Sequence, residues 1–471
     1  MKHCWLFMAL VLLAGCARFQ PRPISPAETA ASLEDRSLAD PGLREFLEKN
    51  LSQRAASWPL ARWDFETLYL AALYYHPSLD VARSQWQVAL GGNKTAAARP
   101  NPTVSVVPGY NISATGGLTP WFPAVNFDLP IQTAGKRGYR KTHAQQLSEA
   151  ARLNIAATAW HVRGNLRASL LDLTSAQQRE RLLQSQAAIE EKVVRSLEQQ
   201  FQAGAVSSSE LTLVRIALDK LQLDLADARQ VSADARVRVA DALGISVKAL
   251  DGVALEYDLA APSHNASELM LTEVRNQALQ NRTDILGALA EYAASQSALQ
   301  LEIAKQYPDI HLGPGYQYDQ GDHKFSLSLG AELPLLNQNQ GPIAEAEARR
   351  TEAAARFNAL QAKVITEIDR ASASYRVSQE NLVTLGSLAA SQKRQSEIVE
   401  AQFKAGAADQ LDMLNSQIEL GSNELLQLNG RVKLLQAFAA LEDAVQRPLA
   451  SLRPESIEQS PRAAANKEQQ P

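Results

Sequence analysis

The chain states one arrangement twice, about 200 residues apart, and each statement contains a helix too long for a globular domain. Residues 136 to 203 hold no proline, and only Gly138 and Gly164 interrupt a run rich in the helix formers Ala, Leu, Gln, Glu and Arg. At about 1.5 Å per residue such a run reaches on the order of 100 Å. Residues 343 to 405 make a second rod of nearly the same length. The turns closing the two rods read Phe201-Gln202-Ala203-Gly204-Ala205 and Phe403-Lys404-Ala405-Gly406-Ala407. Upstream, Leu129-Pro130 matches Leu333-Pro334, and Pro108-Gly109-Tyr110 matches Pro314-Gly315-Tyr316, so order and spacing both mark an internal duplication. Shorter helices are expected after each turn, over residues 208 to 243 and 409 to 445, and before each strand pair, over 64 to 98 and 268 to 306. Two short helices placed end to end equal one rod, which sets a first repeat at 64 to 250 and a second at 251 to 446. Leu211, Val214, Leu218, Leu221, Leu225 and Ala228 alternate spacings of three and four, a coiled-coil seam that asks for partners along the whole rod.

Between the helices lie runs of period-two alternation. Ile310, Leu312, Pro314, Tyr316 and Tyr318 oppose His311, Gly313, Gly315 and Gln317, and Phe325, Leu327, Leu329, Ala331, Leu333 and Leu335 oppose Lys324, Ser326, Ser328, Gly330 and Glu332. In the first repeat Val104, Val106, Tyr110 and Ile112 oppose Thr103, Ser105 and Asn111, and Trp121, Val125, Phe127, Leu129 and Ile131 oppose Asn126 and Asp128. Four strands of about ten residues are therefore expected, the length a tilted strand needs to cross a bilayer. A soluble sandwich shows the same alternation. In hydrocarbon, however, an open four-stranded sheet leaves backbone edges unpaired, and barrels close from about eight strands, so at least one more copy of the chain is required.

Residues 1 to 15 have the form of an export signal, with Lys2 as its positive start and Trp5 to Leu13 as its apolar stretch. Leu13-Ala14-Gly15-Cys16 has the form of a lipoprotein cleavage box, which makes Cys16 the expected acylated first residue; the alternative is an ordinary secretory signal with an incidental cysteine. Ala17 follows, where an aspartate would resemble the signal for inner-membrane retention, so delivery to the outer membrane is expected. Cys4 and Cys16 are the only cysteines, which leaves no thiol and no disulfide after cleavage and acylation. No later stretch approaches the roughly 18 apolar residues of a membrane helix. A net charge of -4, one unit more negative without Lys2, argues against a nucleic-acid partner. Residues 16 to 63 and 447 to 471, rich in Pro, Ser and charge, read as an extended lipid-anchored collar and a flexible tail.

The motifs of common enzymes are missing: there is no P-loop, His-Glu-x-x-His or nucleophile elbow, and no catalytic role is expected. His143 and His161 are eighteen residues apart, and at about 27 Å along a helix they cannot share one ion within a protomer. The remaining histidines are scattered, so no dedicated metal site and no cofactor beyond the lipid on Cys16 are expected.

As an ordered set, Arg99-Pro100-Asn101-Pro102, Leu129-Pro130 before Gly135-Lys136-Arg137, Tyr307-Pro308-Asp309, Leu333-Pro334-Leu335 before Gly341, and the two Phe-x-Ala-Gly turns resemble the outer membrane factor family. These are the TolC-like exit ducts of bacterial efflux pumps and type I secretion systems, and the resemblance covers about residues 60 to 446. It implies a mainly α fold with a membrane β-barrel: an internally duplicated protomer, each half a helix, two strands, a long helix and a helix. Three protomers would form a 12-strand barrel and a periplasmic α-helical tunnel. Implied partners are two further copies of the chain, outer-membrane lipid, a periplasmic adaptor and an inner-membrane pump of the RND type. Gly135-Lys136-Arg137 and Asn339-Gln340-Gly341 look like the CzcC-like branch, whose members serve heavy-metal efflux.

Glu210 and Asp412 each sit six residues beyond the turn glycines Gly204 and Gly406. Acids near a helix start favour the helix dipole, typically by about 0.3–1 kcal/mol. In a trimer, three copies of Asp412 would also make an anionic ring favouring cations. By resemblance, Asp412 matches one of two aspartates that constrict the periplasmic mouth, with Asn415 in place of the second, and Glu210 matches an acid tied to an arginine and a tyrosine. Here Ala408 and Phe403 hold those two positions, so that network cannot latch the gate. The adaptor is expected to dock on Ala203, Gly204 and Ala205 and on Ala405, Gly406 and Ala407; helix termination by the glycines is the simpler role and is compatible with docking. The expectation is a passive exit duct for heavy-metal cations, with multidrug efflux or type I secretion as the alternative and a poreless coiled-coil lipoprotein as the second.

Overall fold

The computed structural model describes residues 19–51, 57–114, 116–117, 119–260 and 271–449. Cys4, Cys16 with its cleavage box, and the tail from 450 lie outside the described residues.

The N-terminal segment corrects the expected extended collar, since it contains α1 (Pro26–Glu34) and α2 (Pro41–Leu51). Pro26 sits at the first turn of α1, where its missing N–H is harmless, and Ser25 caps that turn by accepting from the Glu28 N–H. Leu38, Leu43 and Leu47 then bury against Trp63, Leu68, Tyr75, Leu166 and Leu243, each full burial being worth about 1.5–3 kcal/mol.

Each repeat expected to open with one helix opens with two. Residues 64 to 98 form α3 (Phe65–Tyr75) and α4 (Pro77–Ala97), because Pro77 cannot donate into the preceding turn and His76 is pushed to extended backbone at φ -68, ψ 122. Residues 268 to 306 likewise divide into α7 (Leu271–Asn281) and α8 (Thr283–Ala304), at Arg282 with φ -60, ψ 131. No proline marks this second break.

The rods follow the sequence closely. α5 runs Lys136–Gln202 and α6 Ser208–Leu243; α9 runs Gln340–Lys404, three residues longer at its start than expected, and α10 Gln410–Val445. α5 packs against α4 in one half and α6 in the other, while α9 packs against α8 and then α10. α8 and α10 also lie against α5, so the protomer is a four-column curtain in which α4 with α6, and α8 with α10, each equal one rod. At the first junction a Cβ on Gly244 would come within 2.9 Å of the His76 Cα, a measure of how closely the two helix ends abut.

β1 (Thr103–Val107), β2 (Ala124–Ile131), β3 (Ile310–Asp319) and β4 (Asp322–Ala331) form one antiparallel sheet in chain order, open at β1 and β4. The first-repeat strands are shorter than expected: after Val107 pairing is reduced to a Tyr110–Trp121 bridge, where Phe122 packs against Gly109 so closely that any side chain there would collide. The register preserves the expected faces. Val106, Val125, Tyr316 and Phe325 form one cross-strand row and Leu129, Leu312 and Leu329 another, with Ser105, Asn126, Gly315 and Ser326 aligned on the opposite face.

Candidate functional site

Three places carry the functional geometry: the sheet, its joint with the helices, and the turn end of the rods. On the sheet, Phe325 is 82%, Leu327 71% and Leu329 75% exposed, so nothing among the described residues covers the apolar face there. Aromatic rings gather on the part of the sheet away from the helices: Tyr110 against Trp121 at 5.0 Å and Tyr316 against Phe325 at 5.3 Å. Such a ring band above an apolar face fits the interface of a bilayer. Among the described residues no helix is long and apolar enough to cross a membrane.

The joint explains three sequence landmarks at once. Lys136 Nζ, almost buried, donates to the Tyr307 carbonyl at 2.6 Å and to Asp309 at 2.7 Å, while the Thr133 N–H and hydroxyl donate to Asp309 and to the Pro308 carbonyl. Burial alone would raise the Asp309 carboxyl, but these donors hold it below its ordinary value. Arg137 donates to the Ala97 carbonyl just before Arg99-Pro100. Gly135-Lys136-Arg137 is therefore the clasp that ties one repeat's rod to the other repeat's strand. In the second repeat Asn339, at φ 63, does a smaller job by donating to the Glu302 carbonyl and carboxylate.

At the turn end, both rods close in the same motif. Gly204 and Gly406 adopt φ 73 and 72, and the Ala205 and Ala407 N–H groups each reach back to the carbonyl five residues earlier at 2.8 Å. Ala203, Gly204, Ala205, Ala405, Gly406 and Ala407 are all exposed, with Phe201 and Phe403 exposed beside them. The two turns lie at one end, because Leu211 and Leu414 bury with Val193 and Leu197 in a single cluster.

The matched positions of Glu210 and Asp412 have a local cause. Each is the third residue of its helix in a reciprocal cap: the Ser207 hydroxyl accepts from the Glu210 N–H while the Glu210 carboxylate accepts from the Ser207 N–H, and Asp409 and Asp412 exchange the same two bonds. Asp412, Asn415 and Glu210 are nonetheless exposed at the turn end. Among the described residues no group of three or more His, Cys, Asp or Glu converges to hold a metal ion.

One feature of the rods escaped the sequence reading. The seam from Leu211 to Ala228 faces inward, with Leu211, Leu225 and Ala228 buried, but Leu213, Ile216, Leu223 and Val237 form a second, exposed stripe on α6. Val377, Val383, Leu388 and Ile398 are exposed on α9. Both outer columns of the curtain thus carry apolar side chains that nothing among the described residues covers; on α6 the spacings of three and seven already carried that signal.

Comparison with known proteins agrees with this architecture. Residues 68–245 and 274–445 match the family model for outer membrane efflux protein. The chain is 24% identical over 343 residues to the cobalt-zinc-cadmium resistance protein CzcC of Cupriavidus metallidurans, covering 72% of this chain and 79% of that one. In fold it resembles the outer-membrane channel OprN, with a TM-score of 0.67 and 19% identity over 92% of this chain and 99% of that one. CusC, described in connection with transmembrane channel formation, gives 0.65 and 17% over the same shares, and VceC of Vibrio cholerae gives 0.66 and 19% over 81% and 95%.

Proposed function

The chain belongs to the outer membrane efflux protein family, and on that premise we propose that it is a passive, lipid-anchored exit duct carrying heavy-metal cations out of the cell. Three copies would close a 12-strand barrel and a helical tunnel, attached by Cys16 as well as by the barrel. A periplasmic adaptor would dock on the exposed turns around Gly204 and Gly406, joined to an inner-membrane pump of the RND type. The duct spends no fuel and performs no catalysis.

The observation that carries this reading is the pairing of an open, one-sidedly apolar sheet with a helical curtain that exposes apolar side chains on both outer columns. A ring of copies would pair the open edges β1 and β4 and cover the outer columns, leaving the apolar sheet face to lipid. The similarity to CzcC supports metal cations as cargo. So does the sheet's polar face, where Asp128, Asp319 and Asp322 outnumber Lys324.

We assign the periplasmic constriction to Asp412, flanked by Asn415, with Glu210 on the neighbouring hairpin. Asp412→Asn keeps an oxygen acceptor for the Asp409 N–H and removes the charge, so it should lower cation selectivity without loosening the cap. Unchanged selectivity would reduce Asp412 to its capping role. For cargo, deleting the gene should sensitise cells to zinc, cobalt, cadmium or copper more than to dyes or detergents, with rescue by the wild-type gene. The reverse profile would reassign the cargo to organic compounds.

A further inference from the structure

We infer that His311 and Asp128 form a weak way-station for a divalent transition-metal cation on the polar face of the sheet, near its helical end; this deepens the duct reading above and rests on it for cargo. His311 Nδ1 lies 3.0 Å from each oxygen of Asp128. The two side chains are 47% and 46% exposed, and they belong to the central strands β2 and β3, away from both open edges. Gly330 stands opposite His311 in the register, so no side chain from β4 crowds the imidazole at that position.

The spacing suits a shared ion. An imidazole nitrogen and a carboxylate oxygen bound to zinc each lie about 2.0–2.2 Å from it, which puts two neighbouring ligands roughly 3 Å apart. The cation would take the place of the proton that Nδ1 shares with the carboxylate, and that proton would move to Nε2, so a neutral imidazole stays neutral. Imidazole with carboxylate selects zinc-like ions over magnesium, which prefers oxygen donors and keeps its water. Two protein donors leave the rest of the shell to water, so binding stays weak enough for the ion to leave, as conduction requires. His311 is the only histidine in the described residues that a carboxylate engages at hydrogen-bond distance; His143 contacts a backbone carbonyl, His76 the Ser78 hydroxyl and His323 the Tyr316 hydroxyl.

The test is zinc protection of His311 against carbethoxylation by diethyl pyrocarbonate in the detergent-solubilised full chain, read by peptide mass spectrometry. Millimolar zinc should slow His311 labelling several-fold and leave His323 unaffected. Asp128→Asn should abolish the protection, and magnesium should not reproduce it. Equal His311 labelling with and without zinc, or equal protection by magnesium, would overturn the way-station even in a protein that conducts. Zinc protection in a protein that carries no current would overturn the duct reading and leave the way-station standing.

Discussion

In the first repeat the break between α3 and α4 is closed by a side chain from outside the repeat, whereas in the second the break between α7 and α8 closes itself. Arg36, from the N-terminal segment, donates to the Tyr75 and Gly244 carbonyls at 2.7 Å each, at the ends of α3 and α6. Arg282 stands at its own break, donates to the Ala444 carbonyl at 2.6 Å, and holds Asp284 with two nitrogens, while Thr283 donates to Gln446 Oε1. The same problem, helix ends meeting head to tail with orphan carbonyls, is solved by an arginine both times. One solution is borrowed, and it comes with a cover made by Leu38, α2 and residues 58–63. The other is internal and leaves a cleft of about 800 Å³ lined by Arg282, Glu367, Arg370, Lys433 and Asp443.

Arg282→Ala should break the comparison hardest, at about 2–4 kcal/mol, because it leaves the partly buried Asp284 carboxylate and the Ala444 carbonyl without their donor. Arg36→Ala should cost about 1–3 kcal/mol, the penalty for carbonyls left without a donor. Denaturant melts of the two variants in detergent would show the ranking; a larger effect of Arg36→Ala would make the N-terminal cover the principal brace.

Gly244→Ala should cost about 1–3 kcal/mol, since φ 73 is strained for alanine and the new Cβ would press on His76 and Pro77. The same melts would check it.

Acid sharpens the comparison through two carboxylates of opposite sign. Burial pushes Asp284 up, but Arg282 and the Ile285 N–H hold it below its ordinary 3.8, so its contribution is present above that pH and is lost as pH falls through the lower value. Asp443, pushed up mainly by burial, favours the fold when protonated and loses that contribution as pH rises through its raised value. Asp443→Asn should therefore raise the melting temperature at neutral pH and change little in acid. A fall at neutral pH would show that its ionised form is needed.

The smallest effect expected is symmetric. Ser207→Ala and Asp409→Ala remove equivalent caps and should each cost about 1 kcal/mol. Unequal costs would mean that one turn carries structural weight the other lacks.

Much of this was legible beforehand. Unbroken helix formers located α5 and α9, and alternation assigned the strand faces that the register then joined into rows. Pro77 and Ser25-Pro26-Ala27-Glu28 carried the signals of a helix break and a helix start, but the pattern of helix formers ran 64 to 98 into one helix and the proline-rich composition suggested an extended collar. Arg282 gave no local signal, because its extended backbone is held by Asp284, Ala444 and Glu367 from three parts of the chain. Glu210 and Asp412 were read from their spacing after the turns as gate candidates, whereas Ser207 and Asp409, three residues before them, already spelled capping boxes. Lys136 was visible as a landmark, but its bond to Asp309 joins positions 173 residues apart and had no counterpart in local pattern.

The most direct measurement is single-channel recording of the purified protein in a planar bilayer without pump or adaptor. Discrete, cation-selective steps are predicted, abolished by Leu327→Lys on the apolar face and retained by Ser328→Lys on the polar face. No steps from assembled wild-type protein, or steps that survive Leu327→Lys unchanged, would contradict a closed membrane barrel.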